Sequence, residues 1–182
     1  EQGQKLGFKL HVVAPVFMAG VVVSSTRVRE ALRSGDVGRV ETYLGRPFML
    51  PGKVVSGAGR GKGLGIPTAN LEIWDQRAYP RSGVYACLAR IEDDQKRWKT
   101  VTNIGIRPTF ENNQSEAVVE AHLLEYEGDL YGKWMELEFV ARLRDERKFP
   151  DAETLLARIS RDIQRAHTIL EARMESDDGG NF

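Results

Sequence analysis

The feature that most restricts how this chain can fold is an alternation running from Trp134 to Leu143. Met135, Leu137, Phe139, Ala141 and Leu143 fall on one side of an extended chain, while Glu136, Glu138, Arg142 and Arg144 fall on the other. A strand with one buried face explains that pattern and a helix does not. The same texture extends from residue 48 to about 145. Residues 83–92 and 97–106 are β-rich runs on either side of Asp93-Asp94-Gln95, which predicts a hairpin, and 117–126 predicts a further strand followed by a turn at Gly128-Asp129. Short strands at this spacing predict an antiparallel barrel or sandwich.

Helices flank the strands. Ser24-Ser25-Thr26 offers hydroxyl caps for a helix over 26–33 that Gly35 closes, and Asp36 caps a second over 37–44 that Gly45 closes. Arg46-Pro47 marks the change of texture. Before these helices, 8–13 reads as one short strand. After the strands, Asp151 caps a long helix with Leu155, Leu156, Ile159, Ile163, Ala166, Ile169 and Leu170 at helical spacing, and this apolar stripe should pack on the strands. Leu155 and Ile159 are read as core, and the polar tail 176–182 as disordered.

Composition narrows the function. The chain has 182 residues, 41% of them hydrophobic, enough for one domain with a real core or one domain and a fragment. Lys and Arg number 26, as do Asp and Glu, and this balance argues against a nucleic-acid partner. No apolar run approaches the roughly 18 residues of a membrane span. The lone cysteine, Cys87, excludes an internal disulfide and is read as a packing residue, while His11, His122 and His167 lack metal-ligand spacing. No segment reads as a secretion signal, so a cytoplasmic setting is expected. The sequence carries no signal for an oligomeric state.

The stretch 57–70 carries the chemistry. Gly57, Gly59, Gly61, Gly63 and Gly65 occupy alternate positions, with Arg60 and Lys62 between them. Such a segment disfavours regular structure, lets a backbone approach a ligand closely, and suits a phosphate. It is not a P-loop, because Lys62 precedes Gly63 rather than Ser or Thr and Ser56 stands where the earlier glycine belongs; nor does any register fit a dinucleotide fingerprint. Pro67-Thr68-Ala69-Asn70 follows. A rigid turn presenting a hydroxyl and a carboxamide two residues apart offers two neutral oxygens to a hard cation such as Mg²⁺, with ATP phosphates supplying the negative charge.

From Gly59 to Asn70 the pattern Gly-x-Gly-x-x-Leu-Gly-x-Pro-Thr-Ala-Asn resembles the signature of riboflavin kinases. Asn103-Ile104-Gly105-Ile106-Arg107-Pro108-Thr109-Phe110 resembles the second signature of that family in its bacterial form. Glu120-Ala121-His122-Leu123-Leu124 with Gly128-Asp129-Leu130-Tyr131-Gly132 resembles the third, and Leu143 to Phe149 the segment before the closing helix. The likeness covers roughly 46–170. It implies a mainly β fold, an antiparallel Greek-key barrel with a C-terminal α-helix, and a kinase domain over 46–175. It also implies transfer of the ATP γ-phosphoryl group to the 5′-hydroxyl of riboflavin, giving FMN.

The resemblance further implies roles. Gly57, Gly59, Arg60, Gly61, Lys62, Gly63, Gly65, Pro67 and Thr68 would hold the ATP phosphates, and Thr68 with Asn70 the Mg²⁺. Glu120 would be the general base, against the bland reading of a solvent-facing carboxylate on a barrel strand. His122, on the same face, either orients Glu120 or fills a polar niche. Asn103, Arg107, Glu146 and Phe149 would contact the flavin. For Arg107 a structural turn is the alternative; for Phe149 it is a hydrophobic staple at the helix start.

Val23-Ser24-Ser25-Thr26-Arg27-Val28-Arg29 resembles the Ser-Ser-Thr-x-x-Arg motif that ends the adenylyltransferase module of bifunctional bacterial riboflavin kinase/FAD synthetases. Residues 1–45 are read as a small α/β remnant of that module: they are too few for its sheet, and its His-x-Gly-His signature has no counterpart. Ser24, Ser25, Thr26 and Arg29 are accordingly read as helix-cap residues, and FAD synthesis is expected only from a longer parent. Two other classes compete with the kinase reading. One is a flavin-carrying barrel without catalysis, which leaves Thr68 and Asn70 unexplained. The other is an oligonucleotide-binding barrel, which the balanced charge disfavours.

Overall fold

A computed structural model of the chain describes residues 6–9, 11–18, 20–57, 60–63, 65–74, 77–108 and 115–179; for 60, 62, 107, 108, 115, 116 and 178 it describes the backbone alone. The elements are β1 (Phe17–Met18), β2 (Val21–Val22), α1 (Ser25–Ser34), α2 (Val37–Leu44), β3 (Phe48–Val55), α3 (Arg60–Gly63), β4 (Ala69–Glu72), β5 (Gly83–Ile91), β6 (Arg97–Pro108), β7 (Ser115–Leu123), β8 (Trp134–Arg144) and α4 (Ala152–Asp178).

Six strands close into an antiparallel barrel in the order β3-β4-β7-β6-β5-β8. Strands β5, β6 and β7 form a meander and β8 returns beside β5, which is Greek-key topology, as expected. Alternate side chains fill the interior: Leu50, Val54, Leu71, Tyr85, Cys87, Ile104, Val119, Met135, Leu137 and Phe139 are buried together. Helix α4 covers the outer face of β5, β6 and β8, where Ala166 and Leu170 pack on Val84, Ala86, Leu88 and Leu143. Strand β5 lies between these two cores, so all its residues but Arg90 are buried.

The helix caps are those expected. Ser24, Asp36 and Asp151 accept from the backbone N–H of Arg27, Arg39 and Thr154, and Gly35 and Gly45 end α1 and α2 in the left-handed region. The helix pair packs against the barrel: Val37 joins the barrel core, Phe48 touches the small core of Ala31, Leu32 and Val40, and Leu32 O accepts from Arg81 N–H at 2.8 Å.

Three expectations need correction. The alternation of β8 keeps its register only to Phe139. The β5–β8 ladder pairs Cys87 with Phe139 but Ala86 with Ala141, and Tyr85 with Arg142 but Val84 with Arg144, so two extra residues are accommodated in β8. These bulges move Ala141 and Leu143 to the helix-covered outer face. The strand read over 8–13 is also absent: its described residues have no regular structure, and Val12 and Val13 are exposed. The closed barrel offers that segment no edge to pair with. Finally, α4 runs on through Asp178, because Asp177 pairs with both Arg97 and Arg173.

Candidate active site

The register of the barrel assembles the site. Asn70 on β4 stands opposite Glu120 on β7, Glu120 opposite Asn103 on β6, Asn103 opposite Val84 on β5, and Val84 opposite Arg144 on β8. Directly opposed side chains lie about 4.5–5.5 Å apart at Cβ. One row across the outer wall therefore sets a carboxylate between two carboxamides. The start of α4 and the loop 145–149 roof this row and enclose a cavity of about 280 Å³ that Asn70, Asn103, Glu120, Glu146 and Phe149 line. A second cavity, of about 250 Å³, is lined by Gly57, Pro67, Tyr126, Asp129 and Tyr131. Thr68 and Asn70 line both and form the partition between them. Two larger grooves, of about 550 Å³ at Trp74 and Trp134 and about 460 Å³ at Arg29 and Arg33, collect none of the expected site residues.

The glycines are fitted to this partition. A Cβ on Gly57 would fall inside the Asn70 carboxamide, and one on Gly61 would strike the Ile66 carbonyl and reach within 3.2 Å of Thr68 Oγ1. Two glycines thus leave the room that Asn70 and Thr68 occupy. The glycine-rich segment is less irregular than its composition suggests: Arg60–Gly63 makes a single helical turn, and Ile66 N–H donates to Gly61 O at 2.9 Å. His122 Nδ1 lies 2.8 Å from Pro67 O, so the imidazole braces the turn that presents Thr68 rather than reaching Glu120. Asn103 Nδ2 donates to Glu146 Oε1 at 3.4 Å, which ties the loop 145–149 to the row.

Charge where α4 meets the barrel is compensated internally. Asp162, 2% exposed, accepts from Arg144 Nε at 2.7 Å and pairs with Arg158 Nε at 3.1 Å. The Arg144 and Arg147 guanidinium carbons lie 5.6 and 4.8 Å from the Phe149 ring centre. Phe149 and Leu155 line the same cavity, so the ring at the helix entry is also a wall of the site. Among the described residues, no group of three or more His, Cys, Asp or Glu side chains could hold a metal ion. A cation at Thr68 and Asn70 would therefore take its counter-charge from a ligand, and two neutral oxygens on a rigid partition suit a hard cation carried by phosphates.

Of the residues singled out from the sequence, Asn103, Glu120, Glu146 and Phe149 come together with Thr68, Asn70 and Gly61 around one cavity, and Gly57 and Pro67 line the other. Gly63 and Gly65 are exposed and line neither. Gly59 lies outside the described residues, as do the side chains of Arg60, Lys62 and Arg107; the Arg107 backbone is strand, opposite Glu116, not a turn. Sequence reasoning missed Tyr126, Asp129 and Tyr131, although the last two stand in a recognised motif. It also missed Arg144 and Asp162, and it assigned Leu155 and Ile159 to the core although both line the cavity at Asn103 and Glu120. The spacing of four between Leu155 and Ile159, directly after the cap, is the signal that one helix face looks onto the site.

Comparison with known proteins gives the family of the chain. The profile of the Flavokinase (riboflavin kinase) family matches residues 44–170. The chain belongs to the riboflavin kinase family. A bifunctional riboflavin kinase/FMN adenylyltransferase of Pseudomonas fluorescens is 38% identical over 167 residues, covering 92% of this chain and 52% of that protein. Its namesake in Bacillus subtilis is 35% identical over 145 residues, covering 79% and 45%. The chain thus spans about half the length of these relatives. Among solved structures, a Streptococcus pneumoniae protein named as a macrolide-efflux protein superposes with a TM-score of 0.79 at 31% identity, over 85% of this chain and 50% of that one. Among the described residues here, no helix is long and apolar enough to cross a membrane. The riboflavin kinase of Trypanosoma brucei, at 24% identity and a TM-score of 0.52 over 69% of this chain, shares the fold.

Proposed function

We propose that this chain is an ATP-dependent riboflavin kinase, which moves the γ-phosphoryl group of ATP to the ribityl 5′-hydroxyl of riboflavin and releases FMN and ADP. The observation that carries the reading is the partition: Thr68 and Asn70 separate two cavities, and Glu120 stands opposite Asn70 on the flavin side. Phosphoryl transfer asks mainly for alignment and charge neutralisation. The cavity at Gly57 and Tyr131 takes the nucleotide, with the segment 57–65, including Arg60 and Lys62, over its phosphates. The cavity at Asn103, Glu146 and Phe149 takes riboflavin, with Arg107 near its rim. Bound Mg²⁺, held by Thr68 and Asn70, would neutralise charge on the β- and γ-phosphates. The 5′-hydroxyl then meets the γ-phosphorus beside the partition, Glu120 takes the hydroxyl proton as the new P–O bond forms, and the bond to ADP breaks.

The relatives' names pair this activity with FMN adenylylation. We assign that second reaction only to a longer parent, and place the kinase, whose Cys87 thiol is buried and unpaired, in the cytoplasm. FMN formation from riboflavin and MgATP, followed chromatographically by flavin fluorescence, tests the reading. Glu120→Gln should lower kcat about 10²–10⁴-fold while riboflavin still binds. Asn70→Ala should weaken MgATP use with the fold intact. Riboflavin binding without FMN formation by the unaltered chain would favour the flavin-carrying barrel instead.

A further inference from the structure

We propose that Arg142 is a positioning residue that latches the flavin loop 145–149, and that Gly35, at the end of α1, sets the latch. The inference rests on the flavin reading of the larger site cavity. It uses three residues that line neither site cavity.

Arg142 stands where β8 gives way to the loop. Its Nη2 donates to Asp145 Oδ1 at 2.7 Å and to Ser82 O at 2.8 Å, and its Nε donates to Tyr85 Oη at 3.3 Å. Tyr85 is itself fully buried and donates to Arg81 O. The guanidinium is thus fixed by the barrel before it meets the loop, so its grip on Asp145 costs little side-chain entropy. Two residues on, Arg144 Nη1 donates to Asp145 O at 2.9 Å. The side chain and the carbonyl of Asp145 are therefore held by two arginines of β8, Arg142 opposite Tyr85 and Arg144 opposite Val84. Glu146, Arg147 and Phe149, the loop residues that line the cavity, come next along the chain.

The other side of the latch is Gly35. A Cβ there would lie 2.6 Å from Arg142 Nε and 2.7 Å from its Cδ. Only a residue without a side chain lets the α1 terminus and the Arg142 side chain share this space. The position of the N-terminal helix pair is therefore transmitted, through one guanidinium, to the loop over the flavin cavity. When the latch is broken, fewer molecules hold the loop in the binding arrangement, and the apparent Kd rises as the inverse of that fraction while chemistry in the bound state is untouched.

The test is riboflavin binding by quenching of its fluorescence, together with steady-state kinetics. Asp145→Ala, at an exposed site where folding is not at stake, should raise the riboflavin Kd and KM by about fivefold, with kcat and the MgATP KM within twofold of the unaltered chain. Gly35→Ala should do the same, and the double variant should fall short of the product of the two effects, because both act through Arg142. Gly45→Ala is the control: it carries the same left-handed strain (φ 68° against 78°) with nothing within 4 Å, and it should leave the riboflavin Kd unchanged. Riboflavin Kd values within twofold for both Asp145→Ala and Gly35→Ala would overturn the latch, as would an equal effect from Gly45→Ala. An unaltered chain that leaves riboflavin fluorescence unquenched would overturn the flavin reading first, and the latch with it.

Discussion

Gly57 shows how single residues govern this site. Its missing side chain is the space that the Asn70 carboxamide fills, and Asn70 is half of the neutral oxygen pair on the partition. Gly57→Ala should therefore displace the carboxamide and raise the MgATP KM about tenfold or more, with a much smaller change in riboflavin binding because Asn70 is one wall among several on that side and Glu120, Asn103 and Phe149 keep their places. Steady-state kinetics with each substrate varied in turn distinguishes this from general damage, which would change both constants. His122 acts at the same place from the other side. Its 2.8 Å contact with Pro67 O holds the turn that carries Thr68, a role its position two residues from Glu120 does not disclose. A strand partner is decided by which backbone comes to lie beside it, and sequence spacing along β7 contains no such information.

The elements differ in how far the sequence announces them. Helices α1, α2 and α4 begin where Ser24, Asp36 and Asp151 say they should, because a cap is a local interaction among four residues. The glycine segment and Thr68-Ala69-Asn70 were legible for a similar reason, since their chemistry lies within one short stretch. The bulges in β8 were not. They arise from the fit of β8 against β5, and their effect is to turn Leu143 outward under α4 and bring Arg142 against Tyr85. Nor was the charge arrangement at α4 visible: Asp162 looks like one more solvent-facing acid in a charged helix, yet it is buried between Arg144 and Arg158. Asp162→Ala should leave two guanidinium groups without their shared partner at the helix–barrel seam, costing about 3 kcal/mol. Thermal unfolding should record this as a Tm lower by roughly 6–12 °C. A loss under 2 °C would mean that α4 is held by its apolar stripe alone.

The assembly of barrel, helix pair and closing helix converges on Glu138. Arg173 on α4 reaches Glu41 on α2 at 2.8 Å, and Arg97 on β6 and Arg173 both pair with Asp177. Glu138, on the outer face of β8, is the one carboxylate of this junction drawn almost fully out of water, 4% exposed, with Arg90 3.9 Å away. Burial pushes its carboxyl above the ordinary value, and the neighbouring Arg97, Arg173 and Arg90 only partly oppose this. Elsewhere the direction is opposite. The backbone N–H of Lys96 holds Asp94 low, Arg142 holds Asp145 low, the Thr154 N–H holds Asp151 low, and Lys99 holds Glu171 low. A group held low in the folded state contributes stability that is present above the unfolded carboxyl range and lost as pH falls through the folded value. A group held high contributes below the unfolded range, and that contribution is lost as pH rises through the folded value. The four low carboxyls therefore give the wild-type chain an acid-side fall in Tm below about pH 4. Glu138 instead subtracts from stability at neutral pH, where folding must keep its charge buried. Glu138→Gln, which keeps the shape and removes the charge, should raise Tm at pH 8 by on the order of 2 °C. The gain should shrink as pH is lowered and vanish near pH 4, where the wild-type carboxyl is protonated in the folded protein. A glutamine variant less stable at pH 8 would show that Glu138 is worth more as an anion to the three arginines than its burial costs, and that this junction is held by charge.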